Sequence, residues 1–205
     1  MNRELTFGNH DTISIPPGAT IFCDLDGTLV DTDYANYLAY RLAVFEVTQG
    51  QIELSFDEKR ANRESLTKRL PTLTDTQLKE IVSLKTGYFT QFLSVTQLNT
   101  MLARLVSEHS LENTIVLLTC CREKRATEIL KYYGLLEHFK RLICWEVLSS
   151  NDSPNKYETA IRIMAVHQES IVVFDNDPFG VEAAINAGIP GPNIYKIISE
   201  QANPL

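Results

Sequence analysis

The sequence predicts an α/β protein: a Rossmann-like open parallel sheet with an inserted all-helical subdomain. Three observations carry that prediction. Residues 19–23 (ATIFC), 115–118 (IVLL) and 171–174 (IVVF) are short apolar runs, rich in β-branched residues, with no polar alternation. Strands buried on both faces, as in a parallel sheet, read this way. Helical patterns separate the later runs, and strand–helix alternation implies an open sheet with right-handed crossovers. Between the first and second runs lies a long stretch of helical patterns only, too long for an ordinary connection. Residues 1–32 and 111–205 are therefore read as the core, and 33–110 as the insert.

The elements follow in order. The first run ends at Asp24. In the insert, residues 36–47 read as a helix, and 56–70 as a second, charged helix that stops before Pro71. Thr74 with Gln77 has the spacing of a capping box and opens a helix carrying Leu78, Ile81, Val82, Phe89 and Phe92 on one side. Ser94 with Gln97 repeats the device ahead of Leu98, Met101, Leu102 and Leu105. The second run ends at Thr119, and a helix over 123–133 stops near Gly134. Residues 142–145 (LICW) make a weaker strand. A helix over 155–166 places Tyr157, Ile161, Met164 and Ala165 on one stripe. The third run ends at Asp175, a helix over 178–187 ends at Gly188, and residues 193–197 add an edge strand.

Composition narrows the function classes. The 205 residues are 44% hydrophobic, enough for a real core. Nineteen Lys and Arg stand against 26 Asp and Glu, a net charge of −7. A non-specific polyanion binder needs a basic face that displaces counterions, so no nucleic-acid partner is expected. The opening residues hold no apolar run of signal-peptide length, and no stretch approaches the ~20 apolar residues that span a bilayer. A cytoplasmic protein with no membrane partner is expected. Cys23, Cys120, Cys121 and Cys144 lie in or beside apolar segments without zinc spacing, so they read as reduced, small hydrophobes. An oxidation-sensitive site is the alternative. Lys59, Arg60, Arg63, Lys68 and Arg69 read as a solvated helix face, or as a patch that meets an anionic substrate. His10, His109, His138 and His167 are scattered and take no role. Nothing in the sequence marks the oligomeric state.

The chemistry concentrates at Asp24-Leu25-Asp26-Gly27-Thr28, directly after a buried strand. Open α/β sheets place ligands at the C-terminal ends of their strands. Two carboxylates one residue apart can divide labour there, one attacking as a nucleophile while the other moves a proton. Gly27 lets the chain turn sharply. The alternative is an acidic strand-to-loop turn. With Asp31, Asp33, Asp175 and Asp177, six acids follow the ends of two predicted strands, a setting that suits a cation.

Four motifs in order resemble the haloacid dehalogenase-like superfamily of phosphohydrolases. They are DLDGT at 24–28, Thr119 at the end of a buried strand, Lys156 in SPNKYETAI, and Asp175-Asn176-Asp177 followed by EAAINAGI at 182–189. The resemblance runs from residue 19 to about 197, with the insert in the position of the family's helical cap. It implies that Asp24 attacks phosphorus to form an aspartyl-phosphate. Asp26 protonates the leaving oxygen and then helps deprotonate the hydrolytic water. Thr119 and Lys156 bind the phosphate. Mg²⁺ is expected between Asp24, the main-chain carbonyl of Asp26, Asp175 and the phosphate. The implied activity is that of a phosphatase, a phosphoric monoester hydrolase acting on a small phosphorylated metabolite. Dehalogenases resembling this fold lack the second acid, so Asp26 favours phosphoryl transfer. A sugar phosphomutase of the β-phosphoglucomutase type is one alternative, and a non-catalytic binding or regulatory protein on the same fold is another.

The chain departs from the family pattern in places. Tyr157 follows Lys156 where Pro is usual, Phe174 replaces a Gly, and Gly180 falls where a later acid is expected. Asp177 is either a second metal-site acid or the start of a turn and helix. Arg122, three residues past Thr119, either touches substrate or begins the next helix.

Overall fold

A computed structural model describes residues 3–6, 13–55, 63–151, 153 and 155–198. The chain forms two compact units, Met1–Val30 with Leu98–Leu205, and Asp31–Gln97.

The first unit is built on six strands: β1 (Arg3–Thr6), β2 (Thr20–Cys23), β5 (Thr114–Leu118), β6 (Arg141–Ile143), β7 (Ile171–Asp175) and β8 (Ile194–Ile198). Every pairing is parallel, in the order β1-β8-β7-β2-β5-β6. β2 and β7 are buried at every position, so neither alternates in sequence. The helices of this unit are α4 (Thr100–His109), α5 (Glu123–Tyr132), α6 (Trp145–Leu148), α7 (Lys156–Met164) and α8 (Pro178–Asn186). Phe22, Val116, Ile143, Val173, Val181 and Ile194 belong to one buried cluster of this unit. Each such side chain contributes roughly 1.5–3 kcal/mol on full burial.

The chain passes to the second unit and back through two short strands, β3 (Val30–Asp31) and β4 (Gln97–Leu98), which pair with one another. The second unit holds α1 (Asp33–Val47), α2 (Arg63–Arg69), α3 (Asp75–Tyr88) and a 3₁₀ segment, Phe89–Val95. Its own core includes Tyr40, Val44, Leu54, Leu66, Leu78 and Ile81. The Thr74–Gln77 capping box forms as expected: Gln77 N–H donates to Thr74 Oγ1 at 3.2 Å, and Thr74 N–H donates to Gln77 Oε1 at 3.0 Å. Lys85 is buried, its Nζ 5.3 Å from the Tyr40 ring and 5.1 Å from the Phe89 ring. A cavity of about 500 Å³ lies among Leu38, Leu42, Phe45, Ile52 and Leu54, and no candidate site residue lines it.

Several boundaries differ from the sequence reading. α4, assigned there to the insert of residues 33–110, belongs to the first unit, and the second unit ends at Gln97. Its cap is Asn99, not Ser94: Leu102 N–H donates to Asn99 Oδ1 at 3.0 Å, while Asn99 Nδ2 donates to the Thr28 carbonyl at 3.1 Å. Asn outcompetes a Ser-x-x-Gln signal because it caps equally well and also has a partner in the core. Phe89 and Phe92 lie past the end of α3, in the 3₁₀ segment. Trp145 opens α6 rather than closing a strand. β8 is not an edge strand, since β1 lies outside it; β1 reads RELT, without an apolar run to announce it. Of the predicted helix over 56–70, α2 covers Arg63–Arg69. Lys59, Arg60 and His10 lie outside the described residues.

Candidate active site

β5 and β6 lie to one side of β2, and β7 and β8 to the other. The chain order therefore reverses between β2 and β7, and a crevice at the C-terminal ends of such strands is where open sheets bind ligands. The register pairs Cys23 with Phe174, so Asp24 and Asp175 emerge side by side. Asp24 N–H donates to the Phe174 carbonyl at 2.9 Å. Lys156, the first residue of α7, reaches both: its Nζ is 2.9 Å from Asp24 Oδ1 and 2.9 Å from Asp175 Oδ2. Three of the four sequence motifs thus meet at one ammonium group.

Local sequence explains why Lys156 arrives there. Asn155 caps α7, its Oδ1 accepting from Tyr157 N–H at 2.9 Å and Glu158 N–H at 3.4 Å. Its Nδ2 donates to the Ala183 carbonyl at 2.8 Å and so ties α7 to α8. On the β2 side, Gly27 has φ of +83°, and a Cβ there would lie 2.4 Å from Asn176 Nδ2. Only glycine permits that approach. The Thr28 hydroxyl, 3.0 Å from Asn176 Oδ1 and 3.3 Å from Asp24 Oδ2, shares its one hydrogen between them. It accepts from Asn176 N–H at 2.9 Å.

Burial dominates the electrostatics. It pushes the Asp24 carboxyl up to about 6; Lys156 opposes this, and the charges of Asp175 and Asp26 reinforce it. Burial alone would lower Lys156, but Asp24, Tyr157 and Asp175 hold it well above its ordinary value. The ammonium therefore stays charged between the two carboxyls.

The Asp26 carboxylate is paired with the Arg125 guanidinium of α5, and both side chains are nearly buried. Burial opposes the charge on Arg125, yet Asp26 and Cys121 raise it above its ordinary value. Arg125 was missed in the sequence. It sits in the run Glu123-Lys124-Arg125, which reads as a solvated helix start. Tyr157 reads in sequence as a stripe residue of its helix and as a departure from the family pattern, but its hydroxyl donates to Asp175 Oδ2 at 2.7 Å. Gly180 packs against that same carboxylate, where a Cβ would lie 2.3 Å from Oδ2.

The remaining candidates divide. Thr119 follows β5, is buried, and its Oγ1 accepts from Cys121 N–H at 3.2 Å. Because β5 pairs with β2, Thr119 stands at the same end of the sheet as Asp24. Arg122 is exposed, begins α5, and lies 3.7 Å from Glu146. Asp177 caps α8 by accepting from Phe179 N–H at 3.0 Å, and its own N–H donates to Asp175 Oδ1 at 2.8 Å. Asp31 accepts from Asp33 N–H at 2.9 Å at the start of α1, in the second unit. Cys120 is exposed, against the reading of all four cysteines as small hydrophobes, whereas Cys23, Cys121 and Cys144 are buried thiols; burial pushes Cys121 up to about 11 and Cys144 up to about 12. They act as small apolar groups.

The family model for haloacid dehalogenase-like hydrolases matches residues 21–191, most of the chain. The chain belongs to the haloacid dehalogenase-like hydrolases. Solved structures share its fold. CbbY from Rhodobacter sphaeroides, in complex with phosphate, is 19% identical with a TM-score of 0.71, over 92% of this chain and 90% of that one. A haloacid dehalogenase-like family hydrolase from Streptococcus pneumoniae is 23% identical with a TM-score of 0.66, over 90% and 88%. A Thermotoga maritima protein assigned as a β-phosphoglucomutase is 24% identical with a TM-score of 0.65, over 91% and 88%. No curated protein matches this hydrolase. Among the described residues, no helix is long and apolar enough to cross a membrane.

Proposed function

We propose that this haloacid dehalogenase-like hydrolase is a Mg²⁺-dependent phosphatase, acting on a small phosphorylated metabolite through an aspartyl-phosphate on Asp24. The observation that carries the reading is the Lys156 ammonium shared by Asp24 and Asp175 at the reversal point of the sheet. Lys156 engages Asp24 Oδ1, while Oδ2 meets the Thr28 hydroxyl at a weak 3.3 Å. Oδ2 is the oxygen that attacks. A bond forms from Oδ2 to phosphorus, the ester P–O bond breaks, and Asp26, which takes up the proton of a monoanionic ester on binding, gives it to the departing oxygen. Asp26 then takes a proton from water as that water attacks the aspartyl-phosphate, which restores Asp24 and releases phosphate. Lys156 and Thr119 offset the charge of the transferring oxygens.

The donors suit a hard cation. Asp24 and Asp175 are two buried carboxylates, and with the main-chain carbonyl of Asp26 that the family resemblance implies they would make an all-oxygen set. Among the described residues no group of three or more His, Cys, Asp or Glu side chains is placed to hold a metal. A cation held by these two carboxylates would have to take its other ligands from a main-chain carbonyl, the substrate and water, a donor set that suits Mg²⁺. Bound there, Mg²⁺ supplies the charge that lets a carboxylate approach an anionic phosphate. Asp177 is left out of the set because its carboxylate caps α8. In this reading the helical unit, Asp31–Gln97, takes the part of the family's cap and selects the leaving group. Buried, unpaired thiols fit a reducing, cytoplasmic setting.

The test is phosphate release from a panel of phosphomonoesters, with and without Mg²⁺. The wild type is expected to need Mg²⁺, and Asp24→Asn to lose about a thousandfold or more while staying folded. Full activity in that variant, or turnover unaffected by chelator, contradicts the reading. Product analysis separates free phosphate from an isomer made by returning the phosphoryl group to another hydroxyl.

A further inference from the structure

We propose that Tyr157 is a positioning residue that acts through Asp175, and that Tyr157 and Gly180 are a coupled pair holding this carboxylate in place for a cation. The inference rests on the metal-dependent reading above. It comes from two departures from the family pattern that the fold brings onto one group. Tyr157 stands where Pro usually follows the lysine, and Gly180 stands where a later acid is expected. The Tyr157 hydroxyl donates to Asp175 Oδ2 at 2.7 Å. A Cβ on Gly180 would lie 2.3 Å from Oδ2, 2.6 Å from Cγ and 2.7 Å from Oδ1 of that same residue. No acid, nor any side chain, fits at 180 while the carboxylate lies there.

The carboxylate is fixed from three directions. Oδ2 takes the Tyr157 hydroxyl and the Lys156 ammonium, and Oδ1 takes Asp177 N–H at 2.8 Å. A carboxylate offers about four lone-pair sites; hydrogen bonds fill one on each oxygen and the ammonium crowds Oδ2, so the open side is at Oδ1. Tyr157 and Lys156 are successive residues in the first turn of α7, so one helix start brings both the hydroxyl and the ammonium to Oδ2. The tyrosine ring cannot swing away: it is 1% exposed and packs on Phe22 with centroids 6.3 Å apart. The family pattern puts a second acid at 180. In this chain the Asp175 carboxylate itself lies against position 180, and the Tyr157 hydroxyl holds it there. The open side of Oδ1 is thereby presented in one orientation. Hydrogen bonds that orient metal-binding carboxylates are worth about 10–100-fold in metal affinity.

The experiment is calorimetric titration of the full chain with Mg²⁺, for wild type, Tyr157→Phe, Gly180→Ala and the double variant. Tyr157→Phe is expected to weaken binding about tenfold or more. Gly180→Ala displaces the same carboxylate, so the double variant should lose little beyond the weaker-binding single. In steady-state assays, the half-saturating Mg²⁺ concentration should rise in Tyr157→Phe by more than the maximal rate falls. A merely structural ring would leave the Mg²⁺ dependence where it was. Wild-type affinity in Tyr157→Phe overturns the proposal, as do additive losses in the double variant. Tyr157→Phe keeps the ring and decides alone if Gly180→Ala does not fold. A wild type that binds no Mg²⁺ fails the metal reading, and this proposal with it. That failure is read from the wild type alone, so it stays distinct from a failure confined to the variants.

Discussion

At the residue scale, Asp24 carries a cost that its function uses. Its carboxyl is raised from 3.8 to about 6, chiefly by burial, so the folded chain keeps that proton to a higher pH than the unfolded chain does. Between those values the folded state binds more protons, so this group's contribution to stability falls as pH rises from about 4 to about 6. Asp24→Asn lacks that loss. Without Mg²⁺, the melting temperature of the variant minus that of the wild type should grow over this window and level off above it. A flat difference would show that Asp24 ionises normally. Arg125 makes the complementary case. Removing its guanidinium leaves the Asp26 carboxylate, 5% exposed, without its buried cation. Arg125→Ala should cost about 3 kcal/mol by chemical denaturation, and a cost under ~1 kcal/mol would mean that water replaces the arginine. That Asp24, Lys156 and Asp175 come together was legible in sequence because each sits at the end of a strand or the start of a helix, in motif order. Arg125 and Tyr157 were not, because each acts through a partner far along the chain. Asp26 lies 99 residues from Arg125, and nothing local marks that pairing.

At the element scale, a helix cap sets the geometry of the site. Asn155 starts α7, presents Lys156 and bonds to Ala183 at the C-terminal half of α8. Asn155→Ala should cost about 1–2 kcal/mol from the lost cap. It should also lower kcat, because Lys156 loses its fixed launching point. Melting and turnover measured on the same preparation test both effects. An unchanged kcat would mean that Lys156 is held by Asp24 and Asp175 alone. The buried strands were legible because β2, β5 and β7 are continuous apolar runs, and the sheet they imply formed. Their neighbours were harder. β1 is a polar tetrapeptide that pairs through its backbone, and α4 takes its cap from Asn99, whose side chain also reaches the Thr28 carbonyl. Elements defined by long-range backbone partners leave little local trace.

At the scale of the whole molecule, the parallel sheet brings β2 and β7 together and sets their acidic ends beside one lysine. Three of the 26 acids, Asp24, Asp26 and Asp175, are buried in that arrangement. The division into two units was legible from the interrupted strand–helix alternation. Its far boundary was not, because α4 has the same helical pattern as the insert and only its core contacts assign it. Leaving-group recognition has no such signature, and a substrate screen has to supply it. The central claim is that phosphoryl transfer passes through Asp24. The most direct test is acid-quenched mass spectrometry of the full chain during turnover of a phosphomonoester with Mg²⁺. One phosphoryl group should appear on the peptide that contains Asp24, and be absent in Asp24→Asn. Turnover with no phosphoryl group on that peptide, or with the group on another residue, would contradict it.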